Sequence, residues 1–120
     1  MAEVRQPIVI PIADGSLKAW LRECVAGLIR ELRPEKVILF GSRAQGTSTE
    51  ESDIDLLVVL DTQEESLSKR YSLVSPYFEP REFPMDILTM RKADYEARAR
   101  NPYDSFMQEL LSQGAVLYER

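Results

Sequence analysis

Residues 52–60 read Ser-Asp-Ile-Asp-Leu-Leu-Val-Val-Leu, a buried strand that opens on two carboxylates, Asp53 and Asp55. Successive strand residues face opposite sides of a sheet, so both carboxylates share one face while Ile54 lies on the other. At roughly 6 Å and an effective dielectric near 20, the repulsion between the two charges is on the order of 2–3 kcal/mol. A bound divalent cation would reverse this cost, for which folding alone gives no reason.

The composition predicts one globular unit over residues 1–120, because 44% hydrophobic residues in 120 supply one core and not two. A net charge of −5 argues against a broad nucleic-acid or anionic-membrane surface. The opening residues lack the basic start and apolar core of a signal peptide, and no apolar run approaches membrane-spanning length. We therefore expect a cytoplasmic protein.

Histidine is absent from the sequence. This excludes Ser-His-Asp and Cys-His catalytic sets, His-ligated zinc, and histidine-based ribonuclease chemistry within the chain. The single Cys24 cannot form an internal disulfide and lies on an apolar helix face, which favours a buried thiol over a reactive one.

The periodicity predicts an alternation of helices and short strands. Helices are predicted at 16–32, 64–75, 91–99 and 103–112; strands are predicted at 37–40, 53–60 and 83–90, with a short further strand possible at 115–118. Before them lies an extended start broken by Pro7 and Pro11, and residues 42–45 suit a single helical turn ended by Gly46.

Connectivity predicts where the acidic residues meet. A short polar connection joins strands one and two, which fits antiparallel neighbours, whereas the helix between strands two and three implies a parallel crossover. The end of strand one, with Gly41-Ser42, then meets the starts of strands two and three, with Asp53, Asp55 and Asp86. Such a convergence is what a metal-nucleotide site requires.

Gly41-Ser42, followed after residues 43–52 by Asp53-Ile54-Asp55, resembles the motif of the polymerase-beta-type nucleotidyltransferase superfamily. The small size and a third acid in an apolar strand, Asp86, are similar to its minimal nucleotidyltransferase branch. The resemblance covers roughly residues 16–118 and implies an α/β (α+β) fold. Its expected form is a small mixed three-stranded sheet of order 1-2-3, flanked by helices.

The resemblance also implies an activity: Mg²⁺-dependent transfer of a nucleoside monophosphate, AMP from ATP, to an acceptor hydroxyl. Asp53 and Asp55 would hold the metal, two Mg²⁺ ions being expected, and Asp86 would bind the second ion and orient or deprotonate the hydroxyl. Gly41 and Ser42 would contact the β/γ phosphates. For Arg43, a phosphate contact and a solvated side chain remain equal alternatives.

Two further sets of charges are interpreted as surface residues. Asp61 lies about 20 Å along the strand from Asp55, at roughly 3.3 Å per residue, so it is excluded from the site. Lys69 and Arg70 are predicted to lie on a solvated helix face rather than to reach a triphosphate.

Three functions remain open. Minimal nucleotidyltransferases resemble the antitoxins of two-gene toxin–antitoxin systems, and this resemblance implies that the acceptor is a tyrosine of a HEPN-type toxin partner. The second hypothesis is a non-catalytic antitoxin that binds its partner through a vestigial site. The third is a small-molecule nucleotidyltransferase of the antibiotic-modifying type. Such enzymes usually carry an extra helical domain for the acceptor, for which this chain has no room unless a second subunit supplies it.

Overall fold

The computed structural model describes residues 8–49 and 51–120. Its helices are α1 (Gly15–Leu32), α2 (Ser42–Gln45), α3 (Leu67–Val74), α4 (Lys92–Ala99) and α5 (Ser105–Gln113); its strands are β1 (Lys36–Phe40), β2 (Ile54–Leu60), β3 (Met85–Arg91) and β4 (Ala115–Glu119). A 3₁₀ turn, Ser75–Phe78, extends α3 through Pro76. None of these helices is both long and apolar enough to cross a bilayer.

Local sequence signals define both ends of α1. The Asp14 carboxylate accepts hydrogen bonds from the backbone N–H groups of Ser16 and Leu17, at 3.0 and 3.2 Å, which satisfies two otherwise free donors of the first turn. At the other end Arg33 adopts a left-handed conformation and donates its backbone N–H to the Ile29 carbonyl, and Pro34 follows. The helix therefore starts and stops where its sequence dictates.

The four strands form one mixed sheet in the order β3-β2-β1-β4. Strand β1 is antiparallel to both β2 and β4, and β2 is parallel to β3. The antiparallel and parallel pairings predicted from connectivity are both confirmed, and β3 begins directly after Pro84 at the sheet edge.

Helices cover both faces of the sheet. Alternate residues of β2 divide between them: Leu56 and Val58 pack with α1, whereas Leu57 and Val59 pack with Met107 of α5 and with α4. Among the described residues, those buried on the α1 face form the larger of two core clusters, which also holds Phe78 of the 3₁₀ turn. Asp55 alternates along β2 with Leu57 and Val59, so its side chain lies on the same face of the sheet as theirs, the face covered by α4 and α5.

The sheet has four strands rather than the three of the predicted core, because the further strand left open at residues 115–118 is present as β4. Strand β4 pairs with the outer edge of β1, where Val37 lies opposite Tyr118, and it buries Leu117 in the larger core cluster. Without this pairing the apolar β1 would be an open edge, which proteins avoid. The predicted helix at 64–75 is shorter at its start, because Ser66 caps α3 by accepting from the Lys69 N–H. The predicted extended start before residue 8 lies outside the described residues.

Cys24 is half-buried on α1 and packs against the larger cluster. Burial, and then the negative charges of Glu82 and Glu23, raise the pKa of its thiol to about 11. Since only the thiolate reacts, we expect iodoacetamide to modify Cys24 on the order of 10²-fold more slowly than free cysteine at pH 7. The alkylation rate should still be rising at pH 10. A rate that levels off near pH 8 would contradict this environment.

Candidate functional site

The strand register brings the acidic residues together at one end of the strands, where β1 ends and where β2 and β3 begin. Asp55 lies opposite Phe40 of β1 on one side and opposite Asp86 of β3 on the other. Asp53 precedes the first residue of β2. The predicted juxtaposition of the Gly41-Ser42 turn with the three carboxylates is therefore present in the backbone.

Gly41 is fitted closely to Asp55. Its backbone has φ +73° and ψ −159°, a conformation essentially restricted to glycine. A Cβ atom built on Gly41 would overlap the Oδ2 atom of Asp55. The turn thus needs glycine for two independent reasons, its own dihedral angles and the space that the carboxylate occupies.

Ser42 begins the short helix α2 immediately after this turn. The Gly41 carbonyl accepts hydrogen bonds from the N–H groups of Ala44 and Gln45, at 3.1 and 3.2 Å, which closes the helical turn. The first N–H groups of any helix have no partner within it, so those of Ser42 and Arg43 are directed outward at the end of β1. Gly46 ends the turn in a left-handed conformation, as predicted.

The Arg43 side chain contacts the loop that leads to Asp53. Its Nη2 donates to the Ser52 carbonyl at 3.0 Å, and its Nη1 lies 3.5 Å from the Ser48 hydroxyl oxygen. Within the part of the chain that the structure describes, its buried Nε has no hydrogen-bond partner. The guanidinium therefore ties α2 to the residue that directly precedes Asp53.

The three carboxylates interact electrostatically. Partial burial raises the pKa of Asp55, and the nearby charges of Asp86 and then Asp53 raise it further. Asp53 and Asp86 themselves are exposed at the surface. A partly buried carboxylate flanked by two others is destabilised in its charged form, which is the condition that a bound cation relieves.

The donor set suits a hard divalent cation, because it consists of carboxylates alone and Mg²⁺ prefers oxygen ligands. Among residues 8–49 and 51–120, no group of three or more Asp, Glu, Cys or His side chains is already arranged as a metal-binding cluster. In the strand register Asp86 lies opposite Asp55, and the side chains of Asp53 and Asp86 are exposed.

The prediction that Arg70 lies on a solvated helix face is wrong, whereas Lys69 is exposed as predicted. Arg70 is buried, and its Nε donates to the Thr89 hydroxyl at 3.1 Å while Nη1 donates to the Glu64 carbonyl at 2.9 Å. The signal in the sequence was its spacing, since Arg70 lies four residues before the buried Val74 on the same side of α3.

Comparisons with known proteins agree with the fold. Residues 23–120 match the family model described as polymerase beta, nucleotidyltransferase. No curated protein sequence matches the chain significantly.

Two solved structures are similar in fold. One, from Sulfolobus solfataricus and provisionally assigned as a nucleotidyltransferase, has a TM-score of 0.57 at 19% identity and aligns over 93% of this chain and 94% of its own. The other is a chain of a toxin–antitoxin structure with AMP-PNP, with a TM-score of 0.55 at 23% identity over 81% of this chain and 72% of its own. These likenesses concern the fold. The family match covers most of the chain, and the chain therefore belongs to the polymerase beta nucleotidyltransferase family.

Proposed function

We propose that the chain is a Mg²⁺-dependent nucleotidyltransferase that transfers AMP from ATP to a hydroxyl of a protein partner, a tyrosine of a HEPN-type toxin. It would thereby act as the antitoxin of a cytoplasmic pair. The observation that carries the proposal is the juxtaposition of the Gly41-Ser42 turn with Asp55 and Asp86, neighbours in the sheet register.

Asp53, Asp55 and Asp86 are the proposed metal ligands. When bound, Mg²⁺ ions supply charge neutralisation for the triphosphate and for the transition state. The side chains of this site place carboxylate oxygens at the ends of neighbouring strands. The raised pKa of Asp55 reflects the unfavourable negative charge that a cation would neutralise. Gly41 and Ser42 would hold the β and γ phosphates with backbone N–H groups and the Ser42 hydroxyl.

Asp86 is the proposed base. It lies on the exposed edge strand beside Asp55, where an acceptor can approach from outside the sheet. In the proposed step the acceptor oxygen attacks the α phosphorus, the bond to the β-phosphate oxygen breaks, and pyrophosphate leaves. The proton of the acceptor hydroxyl passes to an Oδ atom of Asp86.

The nature of the acceptor is supported by one similar structure. It is a toxin–antitoxin with AMP-PNP, which is a nucleotide together with a protein partner. This favours a partner protein as the acceptor.

The test is label transfer to a partner. The purified chain is incubated with Mg²⁺ and ATP labelled at either the α or the γ phosphate, with the product of the adjacent gene. We expect α label on the partner, none from γ-labelled ATP, and loss of label in the Asp53→Ala/Asp55→Ala variant. Label from the γ position would indicate phosphoryl transfer, and no label from either position would refute the transferase activity.

A non-catalytic antitoxin is the second candidate, favoured by the lack of a ready-made metal cluster among the described residues. It predicts a stable complex without label, formed equally well by the Asp53→Ala/Asp55→Ala variant. The same experiment therefore separates the two functions.

Replacement of Arg43 distinguishes its two roles. If its contact with Ser52 positions Asp53, Arg43→Gln should weaken Mn²⁺ binding and lower kcat about tenfold, with little change in the KM for ATP. If the guanidinium instead contacts phosphate, the KM for ATP should rise while Mn²⁺ affinity stays the same. Arg33→Gln, an exposed arginine beyond the end of α1, is the matched control.

A further inference from the structure

A cavity of about 810 Å³ runs along the free edge of β3, between α3 and α4. Its walls are mainly apolar and include Leu67 and Tyr71 of α3, Ile87 and Leu88 of β3, and Ala97 of α4. We call it the β3 groove. None of these residues belongs to the proposed metal or phosphate site.

The β3 groove exposes large apolar side chains. Leu67 is 62% exposed, and Leu88 and Tyr71 are each 38% exposed. Leu88 follows Asp86 by two residues on the same face of β3, a separation of about 7 Å. An occupant of the groove is therefore delivered to the carboxylate that we propose as the base.

The groove also contains a buried positive charge. Arg70 is 8% exposed and lines the cavity, yet its hydrogen bonds go to uncharged oxygens of Thr89 and Glu64. No Asp or Glu of the described residues forms a direct ion pair with it. Asp94, the acid that lines the groove, hydrogen-bonds to Arg91; this bond, and to a smaller degree the nearby charge of Arg70, lowers its pKa. Because no carboxylate contacts the buried guanidinium directly, the groove complements a ligand that supplies one.

The backbone of β3 adds a preference for a polypeptide. The carbonyls of Met85 and Thr89 point away from β2, where Arg81 and Arg70 donate to them at 2.9 and 3.5 Å. Backbone groups alternate along a strand, so the N–H and carbonyl of Ile87 also point to the free edge. An extended peptide supplies the matching acceptor and donor.

We propose that the β3 groove binds an extended, apolar segment of the acceptor protein, with a carboxylate that pairs with Arg70 and a hydroxyl that reaches Asp86. This docking role rests on the proposed transfer to a protein partner. The apolar side chains would occupy the space between Leu67, Tyr71 and Leu88. The chain would thus recognise its acceptor through a sheet edge beside the catalytic carboxylate.

The test measures binding of the adjacent-gene product to the intact chain without nucleotide. We expect Leu67→Glu and Leu88→Glu each to weaken binding by about tenfold or more, because a charge would enter an apolar contact. Leu73→Glu is the matched control, since Leu73 is also an exposed leucine of α3, at 48%, but lies outside the groove. Its affinity should change by less than about twofold.

Arg70→Gln tests the charge. It should weaken binding about fivefold or more and reduce the dependence of affinity on salt, because an ion pair is lost. A thermal melt of each variant shows that the fold is retained.

Equal affinity of Leu67→Glu, Leu88→Glu and Leu73→Glu would overturn the docking site, as would the absence of any binding by the wild-type chain.

Label transfer in parallel separates this proposal from the proposed function. A partner that binds through the groove but is never labelled would refute the transferase activity and leave the groove intact. A partner that is labelled equally by Leu67→Glu, Leu88→Glu and the wild-type chain would refute the groove and leave the activity intact.

Discussion

Asp55→Asn should abolish nucleotidyl transfer while making the metal-free protein more stable. Loss of one carboxylate ligand should lower the transfer rate by about 10³-fold or more, equivalent to about 4 kcal/mol of transition-state stabilisation. In EDTA at pH 7, the melting temperature should rise by roughly 4 °C, because the repulsion among the three carboxylates is reduced by about 1 kcal/mol after solvent screening.

The pH dependence of this stability difference follows from the raised pKa of Asp55. A carboxyl whose pKa rises on folding loses its proton more readily in the unfolded chain. Below the pKa of the unfolded state, Asp55 is protonated in both the folded and the unfolded protein, and its contribution to stability is fully present. As the pH rises through the higher pKa of the folded state, that contribution is lost. The advantage of Asp55→Asn over the wild-type protein should therefore be greatest at neutral pH and shrink toward pH 4.

Asp61→Asn is the matched control, because Asp61 is an exposed acid just beyond the other end of β2. It should leave both transfer and metal-free stability nearly unchanged. Thermal melts with and without EDTA, together with transfer assays, check the set. A less stable Asp55→Asn protein in EDTA would contradict the electrostatic account of the site.

Gly41→Ala should damage both the fold and the activity. The backbone of Gly41 has φ +73° and ψ −159°, and the new methyl group would overlap Asp55 Oδ2. The strain alone costs about 1–3 kcal/mol, and relief of the overlap would move Asp55 away from its place opposite Asp86. We expect transfer to fall by about 10²-fold or more, since small displacements of catalytic groups have effects of that size.

Gly46→Ala separates strain from displacement. Gly46 also has a positive φ, +75°, but a Cβ built there has nothing within 4 Å. This variant should lose about 1 kcal/mol of stability and retain its transfer rate. Urea unfolding and steady-state kinetics of the two variants provide the measurement. Equal losses of activity in both would show that the fit of Gly41 to Asp55 has no special role.

The parts of the site that lie within strands were predictable from the sequence. Alternation placed Asp53 and Asp55 on one face, Gly41 marked the turn, and the helix between β2 and β3 required a parallel crossover. Together these signals predicted that Asp55 and Asp86 would be neighbours, which the register bears out.

The features that were missed depend on contacts between segments distant in sequence. Arg70 was assigned to solvent because a charge on a helix usually is, and its partner Thr89 belongs to a strand that follows later in the chain. The weak signal for residues 115–118 became a firm fourth strand only through pairing with β1. Local propensity does not predict such contacts, because tertiary packing determines them.

The most direct test of the metal-nucleotide site needs no partner. Binding of AMP-PNP to the chain is measured by titration calorimetry with Mn²⁺ and with EDTA, for the wild-type protein and for the Asp53→Asn/Asp55→Asn variant. We predict nucleotide binding that requires the metal and is lost in the variant, whose fold a thermal melt confirms. Metal-independent binding, or equal binding by the variant, would contradict the assignment of these carboxylates as the metal site.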